Sequence, residues 1–489
     1  MISSVIRKSL NLKRSIKLAF TKIEPHNSIQ FLIIGMGVIY FIAFVSLFNQ
    51  VEGLFGEQGI SPINKTMDII ESRNISFFSI PTIFLLGQSD IMIKCVCGLG
   101  ALFSLLLSFK ILPFISASIV WFCYLSFVTI GQPFLSFQWD VLLLEAGFLL
   151  LFLVPNKLKL PKHFNVSSWS VIALRMLLFK LLFTSRLVKI LSGDSTWTSL
   201  TALNFHFFTQ PLPHTLSWFF HALPVGIHKL GVLFMLVVEL IVPFGLFLSS
   251  RIRSWSAWII IAFMVTIILS GNYTFFNFLV IVLCLPSLKF EKKPTKLQPE
   301  FKNSAVISFK SLICFVIILL SLSMETNRFI FKNSLDNKLF QTISAFKCIN
   351  QYGLFSIMTT RRPEITILAS INGTQWEPYR FKYKMNDKFD RPKWVMPHQP
   401  RLDWQFWFVA LGSYQQSSWW TESLISQLFN KSTAVESLFK SVPFKEQPNF
   451  IVLVGRDVTF SSWTKLLKKR EWWTVGEQYQ FSPVFSRPK

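Results

Sequence analysis

Charged side chains are scarce in this chain: Asp, Glu, Lys and Arg make up 15% of its 489 residues. Soluble domains carry about 25%, so the shortfall excludes an ordinary water-soluble globule. Acids are the scarcer sign, 25 against 49 Lys and Arg, for a net charge of +24. There are six cysteines. Cys95, Cys97, Cys123, Cys284 and Cys314 fall in apolar segments and read as small buried groups. Only Cys348 lies in the C-terminal stretch, which excludes a disulfide within it. The C-x-C at Cys95 has no companion pair, and no H-x-x-x-H pair occurs, so no metal site is expected. G-x-S-x-G, the P-loop and the Rossmann glycine run are all missing, which excludes the familiar hydrolase and nucleotide-binding signatures and leaves no cofactor to expect.

What remains is apolar: 51% hydrophobic and 16% aromatic residues. Crossing about 30 Å of hydrocarbon takes roughly 20 helical residues. Runs of that order lie near 30–48, 91–109, 111–130, 137–155, 168–188, 229–249, 255–270, 272–287 and 306–324. The expected architecture is an α-helical polytopic membrane bundle of about nine spans, followed by a β-rich, sandwich-like soluble domain. The segment 1–29 is basic through Arg7, Lys8, Lys13, Arg14, Lys17 and Lys22. With it in the cytoplasm, the inside connections are Lys110, "NKLKLPKHF", "RIR" and "KFEKKPTKLQPEFK", all basic. The opposite connections are poor in Lys and Arg, as the positive-inside rule requires. That rule accounts for the positive charge, and no nucleic-acid motif accompanies it, so nucleic acid is not an expected partner. The membrane domain is then 30–324, and 325–489 faces the non-cytoplasmic side. The sequons at Asn64, Asn74, Asn372 and Asn430 fall on that side, whereas Asn165 does not.

The tail changes period. "EITILASI", "WEPYRFKYKM", "NFIVLVGRDVTF" and "EQYQFSPV" read as short strands, and "STAVESLFKSV" as a short helix. The tryptophan-rich "DWQFWFVALGSYQQSSWWTESL" is expected to pack that domain against the membrane-facing surface.

Ionised residues interrupt the spans. Asp140 and Glu145 lie in the fourth, Arg175, Lys180 and Arg186 in the fifth, Glu239 in the sixth. Such ions usually face a bundle interior and pair. At ~1.5 Å per residue, Glu145 and Lys180 sit at a matched depth of about 12 Å, and Asp140 and Arg186 near the outer end. Two pairs are expected there, with Glu239 left for Arg175 or Lys180. They would either lock helix register or line a polar cavity. Transport through these carboxylates would call for internal repeats, and none are visible. The non-cytoplasmic loop at 189–228 holds His206, His214, His221 and His228, four of the seven histidines.

Five stretches, "QWDVLLLEAGFL", "KILSGDSTWTSLTALNFHFFTQPLP", "SGNYTFFNFL", "YGLFSIMTTRRPEI" and "RPKWVMPHQPRLDWQFWFVALG", together resemble the lipase maturation factor family, in family order from about residue 90 onward. The resemblance implies a membrane chaperone that assists folding or assembly of secreted lipases or other exported clients. Its partners would be the bilayer and the client. Its place would be the endoplasmic reticulum membrane in a eukaryote and the inner membrane in a bacterium. Client contacts would fall on the loop from Ser192 to Leu223 and on tail motifs 352–364 and 391–412. The candidates there are Trp197, Asn204, Gln210, Arg362, Glu364, His398, Arg401, Asp403 and Trp404. A fainter likeness links "LLFTSRLVKILSGDSTWTSLTAL" to vitamin K-dependent carboxylase-like membrane proteins. It implies an alternative, an intramembrane enzyme with Lys189 as base and His206 near it.

Overall fold

A computed structural model describes residues 26–162, 164–289, 305–331, 338–353 and 355–488. Residues 1–25 of the basic N-terminus and most of the basic connection after the eighth apolar segment lie outside the described residues.

The membrane domain is helical: α1 (His26–Phe48), α2 (Asp90–Ser108), α3 (Pro113–Ile130), α4 (Gln138–Leu151), α5 (Ser168–Leu191), α6 (Val225–Leu240), α7 (Ser250–Ser270), α8 (Phe276–Cys284) and α9 (Ala305–Thr326). Local chemistry sets several starts. The Ser89 side chain accepts from the Met92 amide ahead of α2, and Pro113 opens α3 where its missing N–H costs nothing. Each apolar segment read from the sequence overlaps a helix. Among the described residues, six helices are long and apolar enough to cross a bilayer, within Asn27–Phe48, Asp90–Ser108, Pro113–Ile130, Val225–Phe247, Ser250–Ser270 and Phe309–Phe331. The other three fall short on length or polarity. α4 has 14 residues, Phe276–Ser287 is short, and α5, at 24 residues, carries Arg175, Lys180, Arg186 and Lys189.

α1 is the hub. Tyr40 and Phe44 meet the Tyr124 ring of α3 edge-on at 6.0 and 5.5 Å, and the Tyr40 hydroxyl donates to the Leu143 carbonyl of α4 at 3.0 Å. That approach requires glycine at 147, because a Cβ there would stand 1.9 Å from the Tyr40 oxygen.

The tail holds β1 (Pro363–Ser370), β2 (Glu377–Phe381), α10 (Arg401–Leu411), α11 (Tyr414–Phe429), β3 (Phe439–Ser441), β4 (Phe450–Phe460), β5 (Trp473–Gln480) and β6 (Phe485–Ser486). The strands form one antiparallel sheet in the order β3-β2-β1-β4-β5, with β6 on β4. The expected sandwich is therefore corrected: the described residues show one sheet, not two. The tryptophan-rich stretch covers it, folded as α10 and α11. Phe406 of α10 packs on Phe381 of β2 at 4.8 Å and on Trp420 of α11 at 5.6 Å. The other rings of α10 point elsewhere: Trp404 meets Trp139, and Phe408 meets Phe137 at 5.8 Å.

Candidate functional site

The carboxylates inside the membrane domain receive the tail. Asp140 is fully buried and Arg401 is 1% exposed. The guanidinium reaches both carboxylate oxygens, Nη2 to Oδ1 at 2.9 Å and Nη1 to Oδ2 at 3.1 Å, a fork-on-fork pair. Tyr124 donates its hydroxyl to Oδ1 at 2.5 Å, and Arg401 also donates to the Phe134 carbonyl at 2.6 Å. The backbone leading into α10 is fixed by α1. Gln50 accepts from the Arg401 amide at 2.9 Å and donates to the Gln399 carbonyl at 2.6 Å, while Ser46 lies 2.9 Å from His398 Nδ1. The pairing of Asp140 with Arg186 expected from depth is thus corrected. Its partner comes from 261 residues away, and depth along neighbouring helices carries no information about that.

Glu145 is the second socket. Lys180 Nζ donates to Oε1 at 2.6 Å, as matched depth suggested, and to Ser321 of α9 at 3.1 Å. Oε2 accepts from the Asn350 amide at 2.8 Å, the Asn350 side chain at 3.1 Å and the Tyr352 hydroxyl at 2.8 Å. One carboxylate therefore ties α4, α5 and the segment that leads into the tail. Buried charge is tolerable on these terms: paired and fully hydrogen-bonded.

Glu239 is the third carboxylate. The sequence left it to Arg175 or Lys180, but Lys189 takes it, at 2.7 Å to Oε1 and 2.9 Å to Oε2. Arg175 is buried on α5. Arg186 is buried and lies over the Trp197 ring at 5.7 Å, with Lys189 over the same ring at 5.2 Å. Lys189, the candidate base, is an ion-pair member whose Nζ contacts both oxygens of Glu239. Its candidate companion His206 is 2.9 Å from the Tyr273 hydroxyl, and its pKa is pushed down to about 4 by burial and by the Lys189 charge.

The loop and the tail that the family resemblance assigned to a client face each other. Arg362 donates to the carbonyls of Phe208 at 2.9 Å and Pro211 at 3.1 Å, and also to that of Gln210. Trp407 donates to the Thr209 carbonyl at 2.7 Å. The Met358 amide donates to Asp194 at 2.6 Å. Thr215 donates to the Pro392 carbonyl at 2.7 Å, and Trp218 to that of Ser461 at 3.2 Å. Asn272, in "SGNYTFF", bridges the Leu212 and Lys393 carbonyls and accepts from the Val395 amide, each at 2.9 Å. Glu364 lies between Arg362 at 2.5 Å and Lys384 at 2.7 Å. Burial would raise its pKa, but the two cations outweigh burial and hold it below the usual range. Asp403 caps the Tyr383 and Lys384 amides at 2.7 and 3.1 Å; burial still lifts its pKa to about 6. Burial, with Arg401 and Lys382, pushes His398 down to about 4.

The structure places the client-contact candidates along the chain's own loop–tail seam. Trp197, Gln210, Arg362, Glu364, Arg401, Asp403 and Trp404 are buried, and Asn204 and His398 are half-buried. Asn204 bonds His228 at 2.9 Å, and Trp404 packs edge-on against Trp139 at 4.9 Å. Polar and aromatic residues in long quoted motifs mark a seam within the chain. Sequence reasoning missed Tyr124, Gln50, Asn350, Asn272, Tyr273 and Asn277. The signal for Tyr124, Tyr273 and Asn277 was present, since a polar group within an apolar segment is costly to bury; nothing marked Asn350.

Behind the third carboxylate is a cavity of about 460 Å³ between α5, α6, α7, α8 and the loop helix Ala202–Thr209. Leu203, Phe207, Phe234, Met235 and Phe263 make its walls apolar, while Lys189, Glu239, His206, Tyr273 and Asn277 line it with polar groups.

The family model of the lipase maturation factor transmembrane domain matches residues 28–293, and that of the lipase maturation factor C-terminal domain matches 348–483. The chain is 30% identical to lipase maturation factor 2 of Rattus norvegicus, over 92% of this chain and 82% of that protein. It is 30% identical to lipase maturation factor 1 of Mus musculus, over 79% and 74%. Against lipase maturation factor 2 of Homo sapiens the identity is 28%, over 92% and 82%. No solved structure matches. The two family domains run in order along most of the chain, and the chain belongs to the lipase maturation factor family.

Proposed function

We propose that this protein is a membrane-embedded maturation factor that assists folding or assembly of secreted lipases or other exported clients. In this reading all nine apolar helices belong to the bilayer-embedded bundle and the sheet domain is non-cytoplasmic, in the endoplasmic reticulum lumen of a eukaryotic host or the periplasm of a bacterium. The positive-inside pattern supports that orientation.

The observation that carries the reading is an exposed apolar surface across the loop–tail seam. Phe219 of the loop and Trp463 of the tail are 40% and 49% exposed, with ring centroids 5.7 Å apart. Leu467, 74% exposed, lies one helical turn beyond Trp463 on Trp463–Lys469. Apolar side chains exposed together on a rigid surface suit a transient hold on a partly folded client. The buried seam residues fix that surface in place and do not themselves bind.

The test is complementation in cells lacking their own maturation factor, with active secreted lipase as the readout. The intact chain should restore secretion. Trp463→Ser with Leu467→Ser should cut it several-fold while the protein's amount in the membrane and its melting temperature stay unchanged. Full secretion from that variant overturns this surface, and no rescue by the intact chain overturns the lipase reading.

A further inference from the structure

The cavity beside the Lys189–Glu239 pair is lined by polar groups that the protein leaves unanswered. Asn277 of α8 is 1% exposed and lines it, yet neither its amide nitrogen nor its oxygen has a partner among the described residues. The Ser185 hydroxyl of α5 and the Trp197 indole nitrogen, also buried on its lining, have none among those residues either. Their polar neighbours on the lining are satisfied. His206 bonds the Tyr273 hydroxyl, and His228 bonds Asn204 and the Phe220 carbonyl. Thr266 and Ser270 donate to carbonyls of their own helix. Unmatched buried groups cost free energy unless a ligand or water answers them.

Charge narrows the occupant. Among the described residues, Lys189 and Glu239 are the only Lys, Arg, Asp or Glu on the lining, and they pair at 2.7 Å. Arg186 and Asp194 lie outside it, and the Glu239 charge acts on Arg186 as well. His206 is uncharged at neutral pH. The charges balance, so an ion entering the cavity would find no free counter-charge, and an uncharged occupant is called for.

Hydrogen-bonding capacity narrows it further. An indole N–H only donates, whereas the Asn277 amide donates through nitrogen and accepts through oxygen. The head of the occupant must therefore both accept and donate. A carboxylate accepts only and adds a charge, and a simple ester accepts only. A glycerol monoester has a carbonyl that accepts and hydroxyls that donate.

The remaining side is apolar and faces out. Leu230 and Phe234 of α6 line the cavity and are 62% and 45% exposed, and Thr266 of α7 lines it and is exposed too. Both helices lie in segments long and apolar enough to cross a bilayer. The cavity thus opens between them toward the hydrocarbon. Its volume of about 460 Å³ is in the lower half of the range of small-molecule sites, about 300–1,000 Å³, which suits one acyl chain rather than two.

We infer that the cavity binds one uncharged, single-chain lipid of the monoacylglycerol class from the bilayer, its glycerol ester head hydrogen-bonded by Ser185, Trp197 and Asn277 and its chain lying between α6 and α7. No covalent step is involved, and the inference does not rest on the maturation reading.

The experiment is saturation binding of radiolabelled monooleoylglycerol to the detergent-purified full chain at pH 7.5, with oleate and methyl oleate as competitors. One saturable site per chain is expected. Unlabelled monooleoylglycerol should displace the label at least tenfold better than oleate, which brings an unanswered charge, or methyl oleate, which cannot donate. Asn277→Leu should weaken monooleoylglycerol about tenfold and shrink its advantage over methyl oleate. Leu203→Trp, which fills the cavity, should abolish binding. Melting temperatures establish that both variants fold, and the ranking of competitors on the intact chain decides the matter if they do not. The absence of saturable binding, the signature of a merely hydrated cavity, overturns the inference. So does competition by oleate or methyl oleate as strong as that by monooleoylglycerol, or undiminished binding by either variant once folded.

Discussion

Arg401→Met shows what the Asp140 socket is worth. The substitution roughly keeps side-chain length and removes the guanidinium. Asp140, fully buried, then keeps only the Tyr124 hydroxyl, and the Phe134 carbonyl loses its donor. Removing one partner of a buried ion pair costs about 3–5 kcal/mol. Asp140→Asn should cost a similar amount by stranding Arg401. The double variant should cost much less than the sum, because neither charge is then left alone. Buried cysteines supply the assay. Cys97, Cys123, Cys284 and Cys314 are hidden until the bundle opens, so a thiol-reactive fluorophore followed on heating reports unfolding in detergent. At roughly 2–4 °C per kcal/mol, each single variant should melt on the order of 10 °C below the parent. The double variant should recover at least half of the summed loss. Additivity of the two shifts, within about 0.5 kcal/mol, would refute a direct Asp140–Arg401 interaction.

Glu145→Gln cannot satisfy Lys180, Asn350 and Tyr352 together; limited proteolysis should cut near residue 350 at least tenfold faster, and an unchanged cleavage rate would contradict the second socket. Gly147→Ala should destabilise by about 1–3 kcal/mol through the Tyr40 oxygen, and adding Tyr40→Phe should recover part of the loss in the same melting assay. Asp403 gives a pH signature. Its pKa is raised to about 6 in the folded state, so the stability its protonation confers is fully present below about pH 4 and is lost as pH rises through 6, reaching ~3 kcal/mol by pH 7. The Asp403→Asn protein should therefore gain on the parent as pH rises from 5 to 7.5, and a constant difference in melting temperature across that range would count against it.

Composition alone made the helical membrane domain legible, because hydrocarbon leaves the backbone no other partner than itself. Strand runs such as "EITILASI" and "NFIVLVGRDVTF" were readable as β1 and β4 by residue type. Glu145 with Lys180 was readable because depth on neighbouring antiparallel helices is local arithmetic. Asp140 with Arg401 was not: the partner lies in another domain, and nothing in either segment encodes that contact. The same holds for Arg362, whose acceptors are backbone carbonyls of Phe208, Gln210 and Pro211 and leave no mark in the sequence. The missed second layer of the tail has a different cause. Its covering layer is helical, and α10 is buried on most sides, from Arg401 and Leu402 to Val409 and Ala410, so no single apolar stripe marks it as a helix in the sequence.

The central claim is that the tail domain is clasped to the 189–228 loop on the non-cytoplasmic side. Cysteines placed at Thr215 and Pro392, which share a 2.7 Å hydrogen bond, test it in native membranes with a short bifunctional maleimide. The account predicts an intramolecular crosslink, blocked by an impermeant thiol reagent applied from the non-cytoplasmic side. No crosslink, or a crosslink blocked only from the cytoplasmic side, would contradict it.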